Sequence, residues 1–377
     1  MSTTTMTSSN SATVKKWEKK TWIQAYQQSC LGLLAGSGAI FDASPSFRND
    51  NGRGDNITFD YVGKLTDNPL GEGSTAFGNE EALDIGTHNM SINLTRIAVS
   101  NPNNSSIEQQ RTNIQFDEVT ANTQAGRAVE LMDTSILNQL AGFNPTSFTI
   151  NGTTYSSTAQ KLQVQGHNAP TAPTSGRIIR AGGAATDQAL TSSDTFTMDL
   201  LDYAIETIIS NDQPMMPCND GYYKVFLHPY QVTDLKQDSS GKIQWYQNQL
   251  AAEASGKSNF LVLPGAEKPI EVGVYGRFKI YEVPRVPQGV TDSAGAVVTT
   301  VRRAVIVGRD AISYASPFGG VSLTDKTVPF KMFVQLSDYD YIKGMDLRTI
   351  YGTKKMSPSN AEDIGAFVIS TYAAAHV

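Results

Sequence analysis

Apolar residues recur along this chain at two periods, and the change from one to the other marks its elements. Within Asp55–Ser100, Ile57, Phe59 and Tyr61, and later Met90, Ile92 and Leu94 with Arg96 in step, alternate at period two, as residues on one strand face do. Between these runs lies Thr66–Thr87, dense in Gly, Asn, Asp and Glu and including Gly71-Glu72-Gly73. Such a composition interrupts regular structure, so the whole piece predicts a long two-stranded arm with a mobile tip. The strongest helical stripe is Ala125, Val129, Met132, Ile136 and Leu140 within Asp117–Leu140, with Gly142 following as a stop. A second helix is expected over Thr197–Ser210, where Leu200, Leu201, Ala204, Ile205, Ile208 and Ile209 recur and Asp194 or Thr197 can cap.

Upstream, Val14–Leu34 sets Trp17, Ala25, Tyr26, Leu33 and Leu34 among lysines and glutamines, predicting an amphipathic arm helix broken by Gly32 and Gly36. From Phe143 to Ser193 the composition turns to Thr, Ser, Gly, Ala and Pro, with short strand-like pieces such as Phe148–Ile150, and reads as an insertion or an extended connection. Strands are expected at Tyr222–Leu227, Phe260–Leu263, around Gly273–Val283 and at Val301–Val307, with a helix at Ile243–Ala254. Phe330–Tyr341 and Ile364–Tyr372 add two more strand-like runs. Strands mixed with helices in this way argue for an α+β architecture, and no internal repeat is evident.

Composition narrows the function classes. The 377 residues have room for two or three domains of roughly 100–200 residues. Apolar residues make up 40% and charged residues only 18%, which suggests surface that something else covers. Lysine and arginine total 30 against 36 acids, a net charge of −6, so no global basic field exists to wrap nucleic acid or hold an anionic membrane. Cys30 and Cys218 stand far apart, suggesting neither a disulfide framework nor a zinc site, and fit synthesis in a reducing cytoplasm. Residues 1–13 lack the apolar run of a secretory signal, and the glycine-bearing stretch Cys30–Phe41 is too short to cross a bilayer.

Catalytic patterns are missing. There is no phosphate-binding loop ending in Gly-Lys-Ser/Thr, no nucleophile elbow and no His-Glu-x-x-His pair, and His88, His167, His228 and His376 sit singly. No enzyme, cofactor or metal is therefore expected. Asp338 and Asp340 alternate with Tyr339 and Tyr341 and could face a hard cation, but the polar face of a half-buried strand explains them better, because no ligand-dense loop surrounds the pair. Arg53-Gly54-Asp55 and the acceptor patterns at Asn56, Asn93 and Asn151 are the support, with the Thr/Ser-rich middle, for an alternative reading as a secreted adhesion or carbohydrate-binding module. Lys15, Lys16, Lys19 and Lys20 interleave with Trp17 and Trp22, as a solvated helix face does, and could also meet a polyanion.

Taken in order, several segments resemble the major capsid proteins of N4-type podoviruses, whose capsid fold is named after phage HK97. The arm helix Val14–Tyr26 carries the tryptophans; Gly54-Asp55-Asn56-Ile57-Thr58-Phe59 opens a strand; Lys64-Leu65-Thr66 follows. Gly73 to Leu83, with Gly78-Asn79-Glu80-Glu81, is similar to the family's loop tip. After the returning strand with Arg96 come Gln110-Arg111-Thr112 and a long helix closing on Asn138-Gln139-Leu140-Ala141-Gly142. Leu227-His228-Pro229-Tyr230-Gln231-Val232-Thr233-Asp234-Leu235 resembles a strand-to-helix joint, and Val307-Gly308-Arg309-Asp310-Ala311 a later core strand and turn. The likeness runs over most of the chain from residue 14 onward; Phe143–Ser193 and Gln288–Thr300 depart from it.

The resemblance implies an HK97-like α+β fold with an N-terminal arm (1–48), an extended β-hairpin loop (49–100), a peripheral domain (101–196) with a long spine helix (117–140) and an insertion (143–193), an axial domain (197–319), and a return to the peripheral domain (320–377). It implies a major capsid protein of a tailed bacteriophage, assembling with itself into hexamers and pentamers of an icosahedral head around double-stranded DNA. Implied partners are a portal protein, a separate scaffolding protein with none fused at this N-terminus, a cement or decoration protein, and packaged DNA in weak non-specific contact, with no membrane. The implied location is the virion, after assembly in the host cytoplasm. Trp17, Trp22, Leu70, Phe77, Leu83 and Arg96 are the expected contacts between subunits.

Overall fold

The computed structural model describes residues 29–45, 54–102, 107–111, 116–150, 153–156, 164–238, 270–292, 295–317, 330–339 and 341–376. The helices are α1 (Cys30–Ala35), α2 (Ile107–Arg111), α3 (Phe116–Leu140), α4 (Met198–Ser210) and α5 (Pro229–Gln237). Strands β1 (Ile40–Asp42), β2 (Asn56–Val62), β3 (Ile85–Ser91) and β4 (Asn93–Pro102) precede α3. After it come β5 (Ser147–Ile150), β6 (Thr153–Ser156), β7 (Ile178–Arg180), β8 (Tyr223–Leu227), β9 (Ile270–Tyr275), β10 (Phe278–Glu282), β11 (Gln288–Val290) and β12 (Val297–Val307). The last strands are β13 (Ile312–Ala315), β14 (Phe330–Ser337), β15 (Ile342–Lys355) and β16 (Ala366–Tyr372).

Two sheets carry the body. In the first, order β1-β13-β15-β14, β15 also pairs antiparallel with β4 along Asn93–Pro102. In the second, order β7-β16-β12-β8-β10-β9, β11 joins on β12. Strand β8 lies between β10, parallel to it, and β12, antiparallel, and is buried along its whole length, so it shows no polar-apolar alternation; even Lys224 is inside, its Nζ donating to the Leu33 carbonyl at 2.6 Å.

The 25 residues of α3 span about 37 Å at 1.5 Å per residue. Asp117 and Glu118 in its first turn complement the helix dipole. Ala128, Val129, Met132, Ile136, Leu137 and Leu140 are buried in a core shared with α1 and both sheets. Polar residues on the same helix are bonded across to the sheet rather than left bare. Gln124 donates to the carbonyls of Ile97 and Met345, both at 3.0 Å, tying β4 and β15 together beneath the helix. The hydroxyls of Ser135 and Thr353 lie 2.7 Å apart. The helix stops as its glycine predicts: Gly142 has φ +61, its N–H donates to Gln139 and that of Phe143 to Asn138, the paired bonds of a Schellman end. A second core packs α4, through Leu200, Leu201, Ala204 and Ile208, on the inner face of the second sheet.

Several expectations change in detail. The 14–28 part of the arm helix, the helix at Ile243–Ala254 and the strand at Phe260–Leu263 lie outside the described residues. Thr197 is the N-cap of α4 without a side-chain cap bond, while Asp194 accepts from the Thr191 N–H instead. The expected run Phe330–Tyr341 ends as a strand at Ser337; Asp338 and Tyr339 form a left-handed turn, so Asp338 is not on a strand face, and Asp340 lies outside the described residues. Within 320–377 the chain divides, β14 and β15 joining the sheet with β4 while β16 pairs with β12 in the other. The Thr/Ser-rich middle contributes β7, parallel to β16, and the unaligned stretch near residue 288 contributes β11.

Candidate interaction surface

Among the described residues, strands β2 and β3 pair only with each other, in register from Asn56 opposite Ser91 to Val62 opposite Ile85. Alternation decides what each face does. Ile57, Phe59 and Met90 turn toward a small core with Ala43, Ile92, Ala315 and Ile350, while the opposite face stays open. The base is bolted to the body on several sides. Thr87 exchanges backbone and hydroxyl bonds with Ser359, Asn360 donates to the Asp84 carbonyl at 3.1 Å, and Lys354 Nζ donates to the Asn89 carbonyl at 2.6 Å. His88 is buried there, its Nε2 3.2 Å from Ser313 Oγ and its ring stacked on Phe59.

Beyond the last strand pair, residues 63–84 form the connection, holding Asp67, Glu72, Glu80, Glu81 and Asp84 against the single lysine Lys64. Internal bonds shape it. The Glu81 carboxylate accepts from the N–H groups of Thr66 at 2.6 Å and Asp67 at 3.0 Å, and these donors hold it below the usual carboxylate range. Glu80 accepts from the Gly78 N–H at 2.7 Å, and Asn79 donates to the Thr75 carbonyl. The backbone turns therefore consume polar groups while the apolar ones are left outward: Leu65, Leu70 and Leu83 are exposed and Phe77 is 89% exposed. Leu65, Leu70, Phe77 and Leu83 belong to none of the three buried clusters and are candidates for an interaction surface.

The expected contact residues thus separate. Leu70, Phe77 and Leu83 are all exposed on the connection. Trp17 and Trp22 lie outside the described residues. Arg96 is elsewhere, on β4, where its guanidinium grips Asp346 Oδ2 at 2.7 Å; Arg348, its register partner, holds the same oxygen at 2.6 Å. The Arg96 side chain is still 54% exposed and lines a cavity of about 330 Å³ with Leu94, Leu131, Val164 and His167. A second exposed apolar group, Phe333, Leu336, Tyr339, Tyr341 and Ile342 around the β14–β15 turn, escaped the sequence reading. The signal available was the Asp-Tyr repeat closing an alternating strand, which reads equally well as more strand.

Catalytic or metal chemistry finds no support in the histidines. His228 caps α5, its Nδ1 accepting from the Tyr230 N–H at 3.2 Å, and burial first, with Arg302 second, pushes its pKa down to about 4. His167 Nδ1 lies 2.7 Å from Asn93 Nδ2, and His376 sits 3.1 Å from Asp234. Among the described residues no group of three His, Cys, Asp or Glu side chains is placed to hold a metal ion. Nor is any described helix long and apolar enough to cross a membrane.

A family model described as phage capsid protein matches residues 5–375. No curated protein matches the sequence. Among solved structures, the capsid of Ralstonia phage GP4 aligns with a TM-score of 0.64 at 20% identity, covering 86% of this chain and 85% of that one. The capsid of cyanophage Pam1 aligns at 0.57 with 17% identity, covering 86% of each chain. The head structure of Helicobacter pylori bacteriophage KHP40 aligns at 0.52 with 12% identity, covering 88% of this chain and 87% of that one. The shared fold is the α+β, HK97-like capsid fold, and nothing in these matches supports an adhesion module.

Proposed function

Because the chain belongs to the phage capsid protein family, and is a major capsid protein of the virion rather than an enzyme, we propose how it builds the shell. Copies meet head to tail around closed rings of five and six, a heterologous contact that stops growing when the ring closes. The observation that carries this reading is the β2–β3 hairpin, whose base is bonded to its own subunit while Phe77, Leu70 and Leu83 point away from every core. A neighbour that covers them buries apolar area, each such side chain contributing about 1.5–3 kcal/mol when fully removed from water. Repetition over a shell then turns modest contacts into a durable particle.

The finer assignments belong to the same proposal. The arm with Trp17 and Trp22, the hairpin of 49–100, the peripheral domain of 101–196, the axial domain of 197–319 and the closing 320–377 follow the N4-type podovirus pattern. A portal protein, a separate scaffolding protein and a cement protein complete the head, assembled in the host cytoplasm. The net charge of −6 keeps the wall from adhering to packaged DNA. Expression of the chain alone, followed by sizing and negative-stain microscopy, tests the reading: rings or shells are expected, and a strictly monomeric chain at high concentration contradicts it. Replacing Trp17 and Trp22 by Ala is expected to lower particle yield, and unchanged yield and heat resistance would remove the arm from the account.

A further inference from the structure

Away from the hairpin, a groove of about 540 Å³ runs between the C-terminal part of α3, strand β5 and the chain linking β10 to β12. Its lining combines the apolar side chains Phe143, Phe148, Val286 and Val297 with two guanidinium groups, Arg285 and Arg302, and includes no carboxylate. Arg302 is poorly satisfied. Its Nη1 reaches the Val286 carbonyl at 3.3 Å, but its Nε is closed off from solvent with no partner among the described residues. Arg285 meets Asp133 at 3.4 Å, and its side chain is still 37% exposed, so it keeps donors free on the groove side. Both guanidinium groups line the groove, where an arriving carboxylate gains charge-assisted hydrogen bonds.

An occupant must therefore bring an acid next to an apolar side chain. The connection at 63–84 displays that combination: five acids against one lysine, with Phe77 89% exposed and Glu72 and Glu80 close to it in sequence. Charge and polarity of the two surfaces are complementary, and both belong to the same chain, so every copy carries the plug and the socket. We infer that the hairpin connection of one copy seats Phe77 in the Arg285–Arg302 groove of a second copy, with the carboxylates of Glu72 and Glu80 against the two guanidinium groups. This assignment rests on the hairpin's role in assembly proposed above and adds the place where it lands. It makes the contact heterologous by construction, since a groove filled by one neighbour leaves the same copy's own tip free for the next.

The test uses the full chain with a photo-crosslinking phenylalanine analogue at position 77, assembled and irradiated, and its cross-links mapped by mass spectrometry. Cross-links from one copy to residues 143–149 or 284–302 of another are expected. Arg285→Ala, an exposed position, and Arg302→Gln are each expected to lower that cross-link yield on the order of tenfold, the equivalent of one broken charged contact. Thermal unfolding of each unassembled variant separates loss of contact from loss of fold. Cross-links to any other part of a second copy overturn the groove while leaving the hairpin's assembly role intact; intact particles with no cross-link between copies overturn both. Yields unchanged in both arginine variants overturn the charge pairing.

Discussion

Arg303 Nε lies 2.7 Å from Asp187 Oδ2, and both side chains are closed off from solvent. The same guanidinium donates to the carbonyls of Ala141 and Gly142, both at 3.2 Å, at the C-terminal end of α3, where a cation complements the helix dipole. Burial alone would raise the Asp187 pKa, but Arg303 and Arg180 outweigh it and hold the carboxyl low. One ion pair thus joins the end of the long helix, strand β12 and the loop before α4. Removing one member of a buried pair leaves the other uncompensated, at a cost of about 3–5 kcal/mol. Arg303→Met is expected to destabilise the unassembled subunit by about that much in urea unfolding. A change under about 1 kcal/mol would show that Arg180 alone suffices for Asp187.

Gly142 makes a second, independent demand at the same helix end. With φ +61, any other residue pays the left-handed strain of about 1–2 kcal/mol, and a Cβ here would sit 2.4 Å from the Thr171 carbonyl oxygen. Gly142→Ala is expected to cost more than that strain alone, because the obstacle is backbone rather than a flexible side chain. Denaturation midpoints of wild type and variant measure it, and an unchanged midpoint contradicts the packing.

His88 predicts a pH dependence. Burial first, and the Lys354 charge second, push its pKa down from 6.5 to about 4. The fold disfavours the protonated ring, so stability is whole above about pH 6.5 and is lost as pH falls toward 4. The full loss is about 3 kcal/mol, at 1.36 kcal/mol per unit. Asp133, raised by burial to about 6, acts in the opposite sense, being favoured when protonated. The His88 part is isolated by comparison with His88→Gln: the difference in unfolding free energy between the two should shrink or reverse from pH 7 to pH 4. A constant difference across that range contradicts the assignment.

The elements legible in the sequence were those with one face wet. Helix α3 was found within one residue because Ala125, Val129, Met132, Ile136 and Leu140 repeat on a single side, and the hairpin because Ile57, Phe59 and Tyr61 alternate. Strand β15, the longest described, was missed, because it pairs with β4 on one edge and with β14 and β13 on the other and both of its faces are covered. There Asp346, Thr349, Thr353 and Lys355 are buried polar residues; Lys355, for example, is satisfied by Asp363 at 2.7 Å and by the carbonyls of Thr171 and Ala172. Alternation vanishes wherever tertiary partners make a polar residue acceptable inside. The same limit hid the Arg285–Arg302 groove, whose residues come from four separate stretches of chain, whereas Phe77 was visible as an aromatic stranded among Gly, Asn and Glu.

The hairpin connection yields the sharpest separation between folding and assembly. Phe77 belongs to none of the three cores, so Phe77→Ser removes nothing the subunit uses to fold, and its unfolding free energy should stay within about 0.5 kcal/mol of wild type. An exposed aromatic that fills a neighbour's pocket is the kind of side chain whose truncation costs about 2 kcal/mol or more at a contact. In the rings proposed above that loss repeats at every interface, so particle yield should collapse while the isolated subunit is unaffected. Deleting Thr66–Asn79 should reproduce the phenotype, although it also removes the Thr66 and Asp67 donors that Glu81 grips. Negative-stain counts of particles set against subunit melting decide the matter: particles at wild-type yield from Phe77→Ser would mean that the connection is ornamental, and a melting temperature lowered as much as the yield would mean that Phe77 serves the subunit's own fold.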